Sequence, residues 1–228
     1  MTVGTSWLNV LTSVDTPVLP ASWVMNLSLR VSWAVVLAWV GTRIASNCRA
    51  STRTAIAWTL AISAWLPSPF SLTYWLGLAF QAPSIAATLI CGWSLCYSLV
   101  AEKKVRRESQ NAGRGPALFM AVAGVLLGYM LLLDTMAILP LQLYSLGFSP
   151  LALLLTLSLS LLPFVAARHQ SGHELAGATL LPLALLLFAV ARLPSGNVWD
   201  AVLDPWLWVA LHVHLFKVAR RSLFKTQS

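Results

Sequence analysis

The stretch 101–116, AEKKVRRESQNAGRGP, places Lys103, Lys104, Arg106, Arg107 and Arg114 between two long apolar runs. A short loop this cationic resists translocation and marks the cytoplasmic side of a membrane protein. Once that loop is pinned inside, the other apolar runs can be threaded outward from it in both directions. Composition points the same way. The chain is 58% hydrophobic and 10% charged, whereas a soluble domain carries about 25% charged residues. With a mean hydropathy of +0.75, it has too little polar surface to solvate a globule. At about 20 residues per crossing, its 228 residues allow roughly six to eight spans and leave no room for a folded soluble domain. The formal net charge of +8 does not indicate nucleic acid. The cations sit in short clusters between apolar runs, as an anionic cytoplasmic leaflet requires.

The expected fold is all-α: a bundle of seven transmembrane helices with the N-terminus outside and the C-terminus cytoplasmic. An outer segment, 1–20, holds Trp7 and Asp15. The spans are expected at 21–45, 54–66 with a broken continuation to 80, 84–100, 117–133, 151–167, 175–193 and 205–219. The second is short for a bilayer, and Pro67 predicts a break near the outer interface. Pro182 is expected to interrupt the sixth. On this threading every Lys and Arg except Arg30 and Arg192 falls inside, while Asp15, Asp134, Asp200 and Asp204 fall outside. A six-span threading would strand the C-terminal cations on the wrong face. No Lys or Arg precedes Arg30, so the first helix lacks the basic region of a cleaved signal peptide and is read as retained. The expected location is a bacterial-type inner membrane.

A weak repeat runs through the outer turns. Leu66-Pro67, Tyr74, Leu76-Gly77, Phe80 and Pro83 are followed by Leu139-Pro140, Tyr144, Leu146-Gly147, Phe148 and Pro150, then by Leu193-Pro194 and Pro205. Outer turns favour Pro, Gly and aromatics in any case, but tandem repeats also occur in transporter architectures.

Ionisable residues at membrane depth are costly, so each marks a functional candidate. Arg30 should snorkel outward, and Asp134 should lean inward from the end of an oppositely directed helix. Their depths converge, which predicts an Arg30–Asp134 pair, with Asn26 one turn away and Gln81 and Gln142 lining the same vestibule. A second candidate is an outer aromatic cluster of Trp65, Tyr74, Trp75, Tyr144 and Trp206, read either as an interfacial belt or as a ligand-stacking cage. His212 and His214, two apart, point about 200° apart on a helix and cannot share a metal. His169, His173 and Glu174 in HQSGHE read as a solvated loop, not a zinc motif. Gly124 and Gly128 form a GxxxG helix contact. Cys48, Cys91 and Cys96 make neither a disulfide framework nor a CxxC pair. No motif here implies a metal or a cofactor.

The partners expected from sequence are the lipid bilayer and other membrane proteins, not nucleic acid, with no substrate specified. The leading functional expectation is a non-catalytic accessory or structural subunit of a larger membrane complex. The alternatives are a small permease or substrate-binding membrane component with an outward vestibule, and an intramembrane enzyme on a lipid-linked substrate using Asp134, His212, or His169, His173 and Glu174.

Overall fold

The structure is a computed structural model that describes residues 13–14, 19–100, 114–138, 141–166 and 178–225. The outer residues Trp7 and Asp15, most of the central basic loop, Leu139-Pro140, and His169, His173 and Glu174 lie outside the described residues. All regular structure among the described residues is helical: α1 (Ser22–Ile44), α2 (Ala50–Ser63), α3 (Leu72–Phe80), α4 (Ile85–Val100), α5 (Arg114–Thr135), α6 (Leu143–Leu146), α7 (Pro150–Ala166), α8 (Leu180–Ala191), α9 (Val198–Val202) and α10 (Pro205–Lys225). The Leu- and Ala-rich runs have high intrinsic helix propensity, and the boundaries fall at Pro, Ser, Asn and Asp.

Beyond α1, the chain repeats one connectivity three times, in units called hairpins here for their chain path alone: α2–α3–α4, α5–α6–α7 and α8–α9–α10, the two long helices of each packing mainly on helices outside the pair. In each, two longer helices are joined through a short one. In each, the residue before the returning helix caps it. Ser84 Oγ accepts from the Ala87 N–H at 3.0 Å, Ser149 Oγ from Ala152 at 3.3 Å and Asp204 Oδ1 from Leu207 at 2.8 Å. These i→i+3 bonds are N-caps that satisfy first-turn amides. Pro150 and Pro205 then occupy the first helical position, where a missing N–H is no loss.

Local boundaries differ from expectation at several ends, with α5 starting at Arg114 rather than 117 and α10 running to Lys225 rather than 219. The helix α2 starts at Ala50 rather than at 54, which takes Arg53 into its first turn. In the sixth expected span the helix is broken at Thr179, three residues before Pro182, and the residues before 178 lie outside the described ones. Pro182 itself lies in the first turn of Leu180–Ala191, where proline breaks no helical hydrogen bond. The expected break at Pro67 is present: α2 ends at Ser63, and α3 begins separately at Leu72 after Ser71 Oγ accepts from the Thr73 N–H at 3.1 Å.

The helix α1 packs against α2, α3 and α4; α4 against α8 and α9; α8 against α7 and α9; and α10 against α5. Many of the buried positions are small. The buried face of α1 is Ser32, Trp33, Ala34, Ala38, Gly41 and Thr42. At Gly41 and Gly124 an added Cβ would lie 2.6 Å from Leu60 and 2.7 Å from Leu211 respectively, and at Gly128 it would run into the Trp208 indole. The GxxxG face of α5 is thus the surface that receives α10. A larger apolar cluster, Ala152, Leu185, Phe188, Val198, Trp199 and Ala201, ties α7, α8 and α9 together. Big apolar side chains point outward instead, as with Ile44, Phe70 and Val190 at 80%, 77% and 89% exposure. Among the described residues two helices, Ser22–Ile44 and Leu118–Thr135, are long and apolar enough to cross a membrane.

Candidate functional site

The short helices of the three hairpins gather at one end, and the polar side chains there form the densest hydrogen-bond network among the described residues. Asn197, fully buried, is its centre. Its Oδ1 accepts from the Trp199 N–H at 2.9 Å, which starts α9, while its Nδ2 donates to the Tyr144 carbonyl at 2.9 Å. Trp199 Nε1 donates to the Leu143 carbonyl at 2.8 Å, and the Val198 N–H to the Gly147 carbonyl at 3.0 Å. The backbone around α6 is therefore stitched to the α9 turn by three bonds, from Asn197, Val198 and Trp199. Gly147 makes this approach possible. An added Cβ would collide with Asn197 Oδ1 and with the Trp199 ring.

Asp200 lies beside this seam. Its Oδ2 accepts from Tyr144 Oη at 2.9 Å and from Ser195 Oγ at 2.5 Å. Burial, followed by the Asp200 charge and the hydrogen bond to it, pushes the Tyr144 phenol up to about 12. Losing the phenolic proton would place two anions side by side, so the neutral form is favoured. Asp204 joins the third hairpin to the first. While Oδ1 caps α10, Oδ2 accepts from the Ser84 N–H at 2.8 Å.

The expected Arg30–Asp134 pair does not form. Arg30 Nη1 donates to the carbonyls of Trp65 and Leu66 at 3.2 and 3.3 Å. Asp134 Oδ2 accepts from the Tyr144 N–H at 2.7 Å. Local dipoles explain the exchange. The cation settles on unpaired carbonyls just past the end of α2, and the carboxylate on an amide at the start of α6. Asn26 is exposed. Gln81 and Gln142 adopt left-handed backbone angles, φ 61° and 47°, and are engaged through their main chains. The Gln81 carbonyl accepts from Trp33 Nε1 at 2.9 Å, and the Gln142 carbonyl from Ser145 Oγ at 2.8 Å. Their exposed side chains do not line a vestibule with Arg30.

Nor do the five aromatics converge. Tyr74 stacks edge-on with Trp75, Trp206 with Phe80 and Tyr144 with Phe148, at 5.2, 4.9 and 6.3 Å between ring centroids. Trp75 Nε1 donates to the Pro69 carbonyl at 2.8 Å, and Trp65 is exposed. They form separate contacts spread around the connector end.

Sequence reasoning passed over Ser195 and Asn197, and took Asp200 and Asp204 only as outer charges, Gly147 only as part of a repeat and Ser84 only as a span boundary. The signals were the Asn-x-Trp-Asp run, which reads as an Asx turn opening a helix, and Asp204-Pro205, which reads as a cap followed by a first-turn proline.

Deeper along α5 and α10, Trp208 Nε1 donates to the Val125 carbonyl at 3.1 Å. His212 Nδ1 lies 2.8 Å from the Trp208 carbonyl, and its Nε2 lies 3.2 Å from Tyr129 Oη. A carbonyl can only accept, so Nδ1 carries a proton; in the neutral ring Nε2 then accepts from the phenol. His214 is exposed and separate from this contact. Among the described residues no group of three or more His, Cys, Asp or Glu is placed to hold a metal ion.

Chemically, Asp134, Asp200 and Asp204 are all acceptors for amides or hydroxyls at helix ends, and the network they build joins connector to connector. Comparison with protein-family models, with curated proteins and with solved structures finds no match to this chain.

Proposed function

We propose that the chain is a small multi-pass membrane protein, crossing seven times with its N-terminus outside, and that it serves as a non-catalytic accessory subunit of a larger membrane complex in an inner membrane. The observation that carries this reading is the use made of the carboxylates. Asp134, Asp200 and Asp204 are engaged with the Tyr144 N–H, with the Tyr144 and Ser195 hydroxyls, and with the Ser84 and Leu207 amides. Charged groups that in a transporter or enzyme would handle an ion or substrate here fix the ends of helices. The membrane setting is supported by the side-chain distribution, with small residues between helices and large apolar ones outside, as lipid solvation favours.

The test is purification from the native host in a gentle detergent, with identification of what stays bound. A stoichiometric protein partner whose assembly fails when this chain is deleted is the expected result. A chain that elutes alone, and that is stabilised by a small solute in a concentration-dependent way, would replace this reading with the permease. One observation favours that second reading: the His212–Tyr129 contact sets two polar side chains within an apolar helix contact. His212→Phe should leave assembly with a partner intact if the subunit reading holds.

A further inference from the structure

The end of the helices opposite the connectors holds two arginines whose hydrogen-bond partners are all neutral. Arg43, in the last turn of α1, donates Nη2 to Ser94 Oγ at 2.8 Å and lies 5.4 Å over the Trp39 ring. Arg53, in the first turn of α2, donates Nη2 to the Ser98 carbonyl at 3.3 Å, and its Nε is buried without a partner. Ser94 and Ser98 are one turn apart on α4, about 6 Å of rise, so both guanidiniums reach the same end of that helix. A buried donor left unpaired is rare and calls for an acceptor. A guanidinium offers five donors in a fork that matches phosphate oxygens.

The N-terminus of α2 reinforces the field. Its capping position is Arg49, no side chain caps it, and its first turn holds no acidic residue. First-turn amides and the positive end of the helix dipole therefore sit beside Arg53, an arrangement suited to an anion. The described acids, Asp134, Asp200 and Asp204, are all at the other end. Glu102 and Glu108, next in the chain after α4, are outnumbered by Lys103, Lys104, Arg106 and Arg107 in the same segment. Ile44 and Trp58, 80% and 65% exposed, put apolar surface next to the cations. Acyl chains cover such surface, and a free inorganic ion does not.

We infer that the α1–α2–α4 end is a binding site for the phosphate headgroup of an anionic phospholipid, gripped by Arg53 and Arg43 over the N-terminus of α2. The site rests on the membrane reading and needs no protein partner.

The test is native mass spectrometry and thermal unfolding of the full chain in neutral detergent. Phosphatidylglycerol, phosphatidylcholine and inorganic phosphate are added separately. The expected result is discrete one-to-one retention of phosphatidylglycerol, with a raised Tm, over phosphatidylcholine. Arg53→Gln and Arg43→Gln should each weaken retention about tenfold, the scale of one charge-assisted hydrogen bond. Arg53→Lys, which keeps the charge and loses the fork, should weaken it too while the helical circular dichroism is unchanged. Neutralising Lys103, Lys104, Arg106 and Arg107 together should leave the one-to-one species in place. Equal retention of the two lipids would overturn the proposal, as would full retention by both Gln variants, equal stabilisation by inorganic phosphate, or loss of retention on neutralising the loop alone. A chain that stays dispersed without detergent would instead overturn the membrane reading beneath it.

Discussion

Tyr144 couples protonation to folding through a single contact. Its phenol is raised from 10.0 to about 12 by burial and by Asp200. Because the folded value is the higher, the hydroxyl contributes its full stability below pH 10 and loses it as pH rises toward 12. Unfolding midpoints measured from pH 9 to 12 should fall more steeply for the parent than for Tyr144→Phe, which has no phenolic proton to lose. Gly147→Ala should cost about 1–3 kcal/mol, because its methyl group lands on Asn197 and Trp199 in a packed seam. Asn197→Ala should cost about 1–3 kcal/mol as well, by leaving the Tyr144 carbonyl and the Trp199 amide without their partner. Chemical denaturation in detergent measures both. At this scale the sequence was informative about depth and silent about direction. Sequence alone sets Arg30 about 5 Å from the centre of its span and Asp134 about 13 Å from the centre of its own, since about 1.5 Å of rise per residue sets position along a helix. Which face each presents depends on how neighbouring helices rotate, and each residue finds a backbone dipole within its own hairpin or the next.

Helix ends were the readable feature among the elements, and connectors were not. The runs that became α1, α4, α5, α7 and α10 are marked by continuous apolar sequence and by Pro, Ser or Asp at their starts. Of the Leu-Pro repeat, Leu66-Pro67 and Leu193-Pro194 fall in described connectors, while Leu139-Pro140 lies outside the described residues. The helices α6 and α9, four and five residues long, are too short for a 3.6-residue period to show. The capping residues carry the element-level prediction. Ser149→Ala removes only a cap, about 0.5–2 kcal/mol. Asp204→Ala also strands the Ser84 amide, so it should lower Tm further, while Asp204→Asn, which retains an acceptor, should recover part of the loss. Equal Tm values for Ser149→Ala and Asp204→Ala would show that the bond from the first hairpin to the third contributes nothing. Gly128→Leu should displace Trp208 and loosen α10 from α5, read as faster amide exchange confined to those two helices.

At the scale of the whole molecule, the charge of the described residues is divided by end. The connector end holds Asp134, Asp200 and Asp204, with Arg30 and Arg192 as the cations outside the opposite clusters. Arg43, Arg49, Arg53, Lys217, Arg220 and Arg221 lie where the long helices meet the other end. Cationic ends retained on one side are the strongest determinant of orientation in a membrane, and small residues between helices with large apolar ones outside are what lipid permits. The account therefore stands on topology. Its most direct measurement uses single cysteines in a chain whose other cysteines are replaced by alanine. The native Cys48 is exposed between α1 and α2, at the cationic end. Met136, 62% exposed just past α5, lies at the connector end and tolerates Met136→Cys better than Gly196, whose φ of 83° suits glycine alone. A membrane-impermeant maleimide applied to intact cells should label the Met136→Cys chain and leave Cys48 unlabelled until the membrane is opened. Labelling of both in intact cells, or of neither until the membrane is opened, would contradict the seven-crossing arrangement.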